Sequence, residues 1–477
     1  MAAPDIFTII RNARQQGQYE MVIDAVRRLT ASKPNIGKGW EELLNHALAA
    51  ADEDAGLEIA KVMQEQNPRD PKCVLILAER FSRVGKSEIA LMLVERLKKS
   101  APANPALDYF HGVYSGHLGK LDEAAELFRA AIRRKPDFGD AWALLASTNR
   151  INQDDKAALQ ALLEKNTPHA LPGAAYALGS LMHQKGKHEQ AWQAWSMANA
   201  FDRKRRSFNL QGELNAMKDI QAAFDRMGDE LPAMQQRVQG PRPVFIVGAA
   251  RSGTSLTEQI VAATAGTRAL GETMLSRIAS WPLGNLGQGD MQKAGAFEPG
   301  KVEWARMEKV FRGLSGMRSE GAPVVTDKGA ILHLFVGAMA HILPDARFIW
   351  VRRDPRDIAF SAWRAYFADG NRWRNDLSDS AAYLKGHEEM MQFWQDRMPD
   401  RVMRVDYETL ASEPQSTADD MLGFLDLPRL DLSRTNFERS NVPTASFAQI
   451  RGKISTQSVG GWKAYEKWIG PAFGHEG

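Results

Sequence analysis

Cysteine is nearly absent from the 477 residues: Cys73 stands alone. A single thiol rules out an intramolecular disulfide and leaves no cysteine cluster to ligate a metal. Long apolar runs are missing as well, none approaching the roughly 20 residues that span a bilayer. The opening stretch MAAPDIFTIIRNARQQG has no basic segment followed by an apolar one, so a secretory signal is not expected. Nor is there an excess of charge of one sign, because 61 Lys and Arg offset 58 Asp and Glu to a formal +3. That balance argues neither for nor against nucleic acid. With 44% hydrophobic and 25% charged residues, the composition is that of an ordinary soluble protein long enough for two or three domains, and a cytoplasmic location is expected.

What is present first is a period. Pro34, Pro68, Pro102 and Pro136 lie 34 residues apart, and Gly17, Gly85 and Gly119 fall on the same spacing. Gly186 follows at 67 from Gly119, one short of two periods. Behind each glycine comes a helical stripe, such as GKLDEAAELFRAAI or GKHEQAWQAWSMA. The glycine permits a tight turn between paired helices, and the proline stops the second helix before the next unit. Ala90, Ala124 and Ala191 are small enough to let helices approach closely. This pattern resembles the tetratricopeptide repeat over roughly residues 5–205, with a degenerate unit near 153–170. Such arrays present a concave binding face. The expected organisation is an all-α repeat array over 1–205, a helical linker over 206–240 and an α/β domain over 241–470.

The rhythm changes after Pro241. Apolar runs of strand length occur at 243–248, 322–328, 346–353 and 400–408, separated by helical stretches. Alternating strands and helices predict a parallel sheet covered on both faces, with ligands at the carboxyl ends of the strands. Arg251, Lys328, Arg353 and Tyr407 all fall just after these runs.

In VFIVGAARSGTS (244–255), Gly248 and Gly253 have the GxxxxG spacing of a phosphate-binding loop, but Thr254 stands where the nucleotide-gripping lysine belongs. No strand ends in a clean acidic magnesium ligand, and Asp354 reads as a helix-entry residue. Backbone N–H groups and the following helix N-terminus can still cradle a phosphate. Ser252, Thr254 and Ser255 would add hydroxyl donors, and Arg251 a bidentate cation. A donor with less charge at its reacting end, needing no metal, fits better than ATP. A phosphosulfate is such a donor.

The segment FIVGAARSGTSLTEQI resembles the 5′-phosphosulfate loop of sulfotransferases that use 3′-phosphoadenosine 5′-phosphosulfate (PAPS), in the tyrosylprotein branch with its Arg-Ser-Gly-Thr. RRDPRDIAFSAW places Arg353 and Ser361 eight residues apart, and in that family this pair holds the donor's 3′-phosphate. A strand-end arginine and a serine about two helical turns on can grip one dianion from two sides. On its own the motif would read as a surface ion-pair cluster. QIRGKISTQSVGGWKAY (449–465) is similar to the segment that closes over the 3′-phosphate, with Arg451, Gly452 and Lys453 in permuted order. VDYETL resembles the segment whose tyrosine, here Tyr407, lies against the adenine; a lone strand-end tyrosine would otherwise read as core packing. The resemblance covers about 243–465 and implies the P-loop-like sulfotransferase fold, PAPS as co-substrate and no metal.

Sulfuryl transfer to a hydroxyl needs a base, cations around the moving group and in-line geometry. Glu272 lies 21 residues after Arg251, the loop–helix–strand distance that returns the chain to the same sheet edge. A Gly-Glu glutamate at that spacing is the base in the tyrosylprotein branch; the plainer alternative is a first-turn glutamate near a helix dipole. The histidine of cytosolic sulfotransferases would fall on Ala330, and His333 reads as structural. Lys328 would then hydrogen-bond the bridging oxygen, Arg251 the phosphate and sulfuryl oxygens, and Ser446 would add a hydroxyl. The resemblance implies a peptide or protein tyrosine as acceptor, held by the repeat array, with saccharides, lipids and small phenols open as alternatives. Neither nucleic acid nor a membrane span is expected, and a homodimer is compatible with the sequence. A P-loop kinase or NTPase with a repeat adaptor is the competing class, and Thr254 in place of lysine argues against it. A catalytically dead scaffold is a third, opposed by the full set Arg251, Glu272, Lys328, Arg353 and Ser361.

Overall fold

The structure is a computed structural model. It describes residues 3–15, 18–49, 52–68, 70–83, 85–165, 171–228, 240–273, 275–280, 302–367, 370–435 and 454–474. Ser446, Arg451, Gly452 and Lys453 therefore lie outside the described residues.

Helices occupy the first half. They pair in sequence: α1 (Ala3–Gln15) with α2 (Tyr19–Ser32), α3 (Gly39–Ala49) with α4 (Glu53–Gln66), and α5 (Pro71–Arg83) with α6 (Ser87–Ser100). Next come α7 (Pro105–His117) with α8 (Leu121–Arg134), and α11 (Leu171–Gln184) with α12 (His188–Arg205), while α9 (Gly139–Ser147) and α10 (Asp155–Glu164) both pack on α11 rather than on each other. Gly85, Gly119 and Gly186 sit at the centre of three-residue connections with φ of +77°, +85° and +69°, a conformation that a side chain would strain. The helices that end at Ser32, Gln66, Ser100 and Arg134 each stop two residues before the periodic proline. A proline's ring disfavours helical geometry in the residue before it, so each proline ends its helix. Ala90, Ala124 and Ala191 are fully buried where helices meet.

The helix α13 (Leu210–Met227) falls within the stretch expected to be a linker, yet it packs into the core of the second half. A Cβ on Gly337 would stand 2.8 Å from Phe224 of α13. One apolar cluster runs from Ile10, Val22 and Trp40 through Met217 and Phe224 to Phe245, Phe348 and Trp394.

The sheet has five strands, all parallel: β1 (Arg242–Val247), β2 (Thr267–Ala269), β3 (Val324–Gly329), β4 (Arg347–Arg352) and β5 (Val402–Asp406), in the order β2-β3-β1-β4-β5. Around it are α14 (Thr254–Ala262), α15 (Leu275–Ala279), α16 (Trp304–Arg318), α17 (Val336–Ile342), α18 (Pro355–Trp363), α19 (Leu377–Arg397), α20 (Tyr407–Ser412), α21 (Pro414–Phe424) and α22 (Glu466–Phe473). Four strands match the apolar runs; β2, three residues at the sheet edge, has no such run of its own. Alternate residues face opposite layers. Phe245 and Phe348 stack at 5.0 Å on one face beside Phe311 of α16, while Val244, Ile246, Ile349 and Val351 face Ile260, Val261 and Met421 on the other. Both faces are covered, as a parallel sheet requires. The chain leaves β1 toward β2 and leaves β4 toward β5, so the β1/β4 crevice is the topological switch point, where ligands bind in such folds.

Candidate functional site

The loop after β1 is built to approach other backbone closely. A Cβ on Gly248 would sit 2.9 Å from the Val351 carbonyl of β4, and one on Gly253 would run into the Tyr407 ring. Arg251 adopts φ +77°, unusual without a glycine and typical of strained functional loops. Ser252 Oγ is fully buried and has no hydrogen-bond partner among the described residues. Thr254 opens α14, so this helix's N-terminus faces the loop.

Three arginines gather at the β1 and β4 ends. Arg251 Nε donates to Ser361 Oγ at 3.0 Å. Arg353 Nη1 donates to the Arg251 carbonyl at 3.0 Å, and its Nη2 to the Ser458 carbonyl. Burial, with Arg364 and Arg353 nearby, pushes the Arg251 guanidinium down to about 10. Arg364 is lowered in the same way, by burial and by Arg353. Such mutual repulsion marks a place prepared for an anion. The carboxylate within the cluster, Asp357, stands 3.8 Å from Arg353 and already accepts from the Gly460 and Trp462 N–H groups at 2.7 and 3.2 Å. Asp354 caps α18 by accepting from the Arg356 N–H at 2.8 Å. Arg364 was not read from the sequence, although it lies three residues after Ser361, on the same face of the α18 end.

Tyr407 packs on Gly253, lies 4.5 Å from the Arg353 guanidinium, and places its hydroxyl 2.7 Å from Ser458 Oγ. In the described part of the 449–465 block, Ser458 accepts from Arg353 through its carbonyl, and Gly460 and Trp462 donate their N–H groups to Asp357.

A second cluster sits at the ends of β2 and β3. Lys328, 3% exposed, donates to Glu272 Oε1 at 3.1 Å, while Glu272 is 62% exposed. Register pairs Lys328 with Ile246, two residues before the phosphate-loop glycine. Also within reach of Lys328, at 3.7 Å, is the buried carboxylate of Glu258. Burial lowers the Lys328 pKa, but Glu258 and Glu272 outweigh it, leaving the lysine above its ordinary value. Beside it, burial raises Asp327 to about 7 against the hydroxyls of Thr273 and Ser276. His333 is buried against His387, ring centres 4.5 Å apart, and burial holds it well below the ordinary imidazole range. Among the described residues, no group of three or more His, Cys, Asp or Glu is arranged to hold a metal. No helix among them is long and apolar enough to cross a membrane.

Residues 243–431 match the model of the sulfotransferase family. The C-terminal region is a sulfotransferase-family domain. An uncharacterized protein of Aquifex aeolicus (strain VF5) is 25% identical over 444 residues, covering 85% of this chain and 55% of its own length. This chain thus spans little more than half of that relative. A Caenorhabditis briggsae protein described as "Putative protein-tyrosine sulfotransferase" is 23% identical over 240 residues, covering 46% of this chain and 80% of that one. Among solved structures, the sulfotransferase domain of the Synechococcus PCC 7002 olefin synthase is 18% identical, covers 48% of this chain and 91% of its own, and has a TM-score of 0.32.

The sulfotransferase domain is joined to the helical array by an aromatic seam. Trp192 of α12 is stacked on Trp363 at 5.1 Å and on Trp468 at 5.2 Å. The Tyr465 hydroxyl lies 2.8 Å from His183 Nδ1 and 3.2 Å from His188 Nδ1. Burial, with Arg364 nearby, pushes His183 down to about 4. The last helix pair therefore reaches the edge of the arginine cluster.

Proposed function

We propose that this chain transfers the sulfuryl group of PAPS to an acceptor hydroxyl, most directly that of a peptide tyrosine. The observation that carries the reading is the convergence of Arg251, Arg353, Ser361 and Arg364 at the β1/β4 switch point, one strand away from the Glu272–Lys328 pair. The donor's anions suit these residues: the cations repel one another, the neighbouring carboxylate is engaged elsewhere, and the Ser252 hydroxyl is buried without a partner among the described residues.

In this reading the loop N–H groups, Ser252, Thr254, Ser255 and Arg251 hold the 5′-phosphosulfate. Arg353 and Ser361, with Arg364 behind them, hold the 3′-phosphate. Tyr407 borders the nucleotide; by the resemblance, Arg451, Gly452 and Lys453 would serve the 3′-phosphate and Ser446 would add a hydroxyl to the catalytic set, all four lying outside the described residues. Glu272 takes the acceptor's proton as the acceptor oxygen bonds to sulfur. The sulfur–oxygen bond to the 5′-phosphate breaks, its electron pair stays on that oxygen, and Lys328 donates to it. The products are a sulfate ester and 3′,5′-ADP. Fixed cations stabilise charge where it develops and need no reorganisation during the step.

A peptide tyrosine is supported by the likeness to the C. briggsae protein, by the Gly271–Glu272 pair and by the helical array, which we read as tetratricopeptide repeats offering a recognition face. The test is incubation with 35S-labelled PAPS, peptides containing tyrosine, and saccharide, lipid and phenol acceptors, with the product identified by mass spectrometry. Label on the tyrosine oxygen is expected. Label on another acceptor class would overturn the acceptor reading, and ATP turnover without sulfuryl transfer would overturn the whole.

A further inference from the structure

The reaction just outlined gives no part to Glu258, although it is a buried carboxylate in contact with the site's lysine. It lies on α14, one turn beyond the phosphate loop, with 3% of its surface exposed. Oε1 accepts from Thr326 Oγ1 at 2.9 Å and from the Gly271 N–H at 3.1 Å. Oε2 faces Lys328 Nζ at 3.7 Å. One carboxylate thus touches the strand that carries the lysine and the turn that carries Glu272. The Lys328 N–H closes the same turn by donating to the Gly271 carbonyl at 3.1 Å.

We propose that Glu258 is a positioning residue that fixes Lys328 against the Gly271–Glu272 turn and stays behind as the lysine's counter-charge when Glu272 takes up the acceptor's proton. The proposal rests on the sulfotransferase reading above. Lys328 is sealed between two carboxylates of opposite character, Glu258 inside the protein and Glu272 mostly in water. Uptake of the acceptor's proton cancels the Glu272 charge at each turnover. A buried lysine left without a counter-ion loses its proton readily, and a neutral amine is a poor donor to a departing phosphate oxygen. With Glu258 in place, Lys328 keeps its charge, its hold on Glu272 weakens, and an N–H becomes available for the leaving oxygen. The titratable groups around the lysine are Glu258 from α14, whose carboxyl is raised by burial against the opposing pull of Lys328, Glu272 from the turn after β2, and Asp327 beside it in β3. Asp327 in turn faces Thr273, Ser276 and Arg318.

A residue that merely stabilises the fold would affect donor binding and melting as much as chemistry, and this separates the two roles. The test uses the full chain with Glu258→Gln. Three quantities are read: the single-turnover transfer rate, the affinity for 3′,5′-ADP, and the Nζ titration of Lys328 in 15N-lysine-labelled protein, assigned with Lys328→Met. The transfer rate is expected to fall about 10- to 100-fold, the usual scale for a partner that orients a reacting group. Affinity for 3′,5′-ADP should stay within about twofold, since all its contacts but that of Lys328 lie at the β1/β4 end, and the lysine should titrate at lower pH. Glu258→Asp keeps the charge but loses reach; it should hold the lysine's titration near that of the parent with an intermediate rate, and it is read alone if the glutamine variant does not fold. Unchanged rate and unchanged titration in either variant would overturn the proposal, as would parallel losses of rate and 3′,5′-ADP affinity. A parent protein that transfers no sulfuryl group would refute the reaction instead, and the Lys328 titration would still decide what Glu258 does.

Discussion

The two halves of this chain carry their information differently. The array is written as a period: a proline returns every 34 residues from Pro34 to Pro136, with Gly17, Gly85 and Gly119 on the same spacing, and no single residue matters much to the pattern. The sheet domain is written as points. Arg251, Glu272, Lys328, Arg353 and Ser361 are scattered over 111 positions of sequence, and only the ends of parallel strands bring them into two adjoining clusters. A period shows how a segment folds without showing what it does, whereas scattered residues at strand ends identify chemistry and depend on the fold to assemble it. The seam at Trp192, Trp363, Trp468 and Tyr465 ties the two halves together, so the array also forms one wall of the region behind the arginine cluster.

The sharpest way to test the contrast is at a point. Glu272→Ala should reduce sulfuryl transfer about 10²- to 10⁴-fold, the range for loss of a general base, while 3′,5′-ADP affinity stays within severalfold. A large loss of affinity would make Glu272 structural. Breaking the seam comes next. Trp192→Ala removes a buried indole and should cost about 3–5 kcal/mol, lowering the unfolding midpoint of both halves in one transition. An early transition confined to the array, with the domain unchanged, would show the halves to be separable. Arg353→Ala should weaken 3′,5′-ADP by about 10- to 100-fold, from one or two lost charge-assisted hydrogen bonds, and 5′-AMP far less. Equal losses would contradict the 3′-phosphate assignment.

The smallest effect is a pH dependence at the seam. His183 is held down to about 4 in the folded protein by burial and Arg364, against about 6.5 when unfolded. Between those values the unfolded chain binds the extra proton, so stability falls as pH drops from about 6.5 toward about 4 and is unaffected above. Allowing for partial exposure, the loss should be on the order of 1–2 kcal/mol. His183→Gln should flatten that part of the stability profile; an unchanged slope would mean that the imidazole is not held neutral there.

Much of this was legible beforehand because local rules govern it. Helix stops at the periodic prolines, the GxxxxG turn and four strands follow from patterns within a few residues. The Glu272–Lys328 contact was not legible in the same way, because it depends on β2 lying beside β3. What escaped depends on tertiary placement. Strand β2 is only three residues long at the sheet edge and has no apolar run to announce it. Glu258 sits among the ordinary helix residues of SLTEQIVAAT, and only its burial beside Lys328 sets it apart. The contacts of Gly460 and Trp462 with Asp357 use backbone N–H groups, which any residue but proline could supply. The helix α13 shows only helical character in its sequence; that it fills the space beside Gly337 and Trp394 is a matter of assembly.

The central claim is that a cluster of fixed arginines does here what a loop lysine and a magnesium ion do for ATP. Isothermal titration of the full chain with 3′,5′-ADP in the presence of chelator, set beside ATP with magnesium, tests it most directly. The expected result is tight, metal-independent binding of 3′,5′-ADP and little or none of ATP–Mg. Tight ATP–Mg binding with 3′,5′-ADP ignored would contradict it.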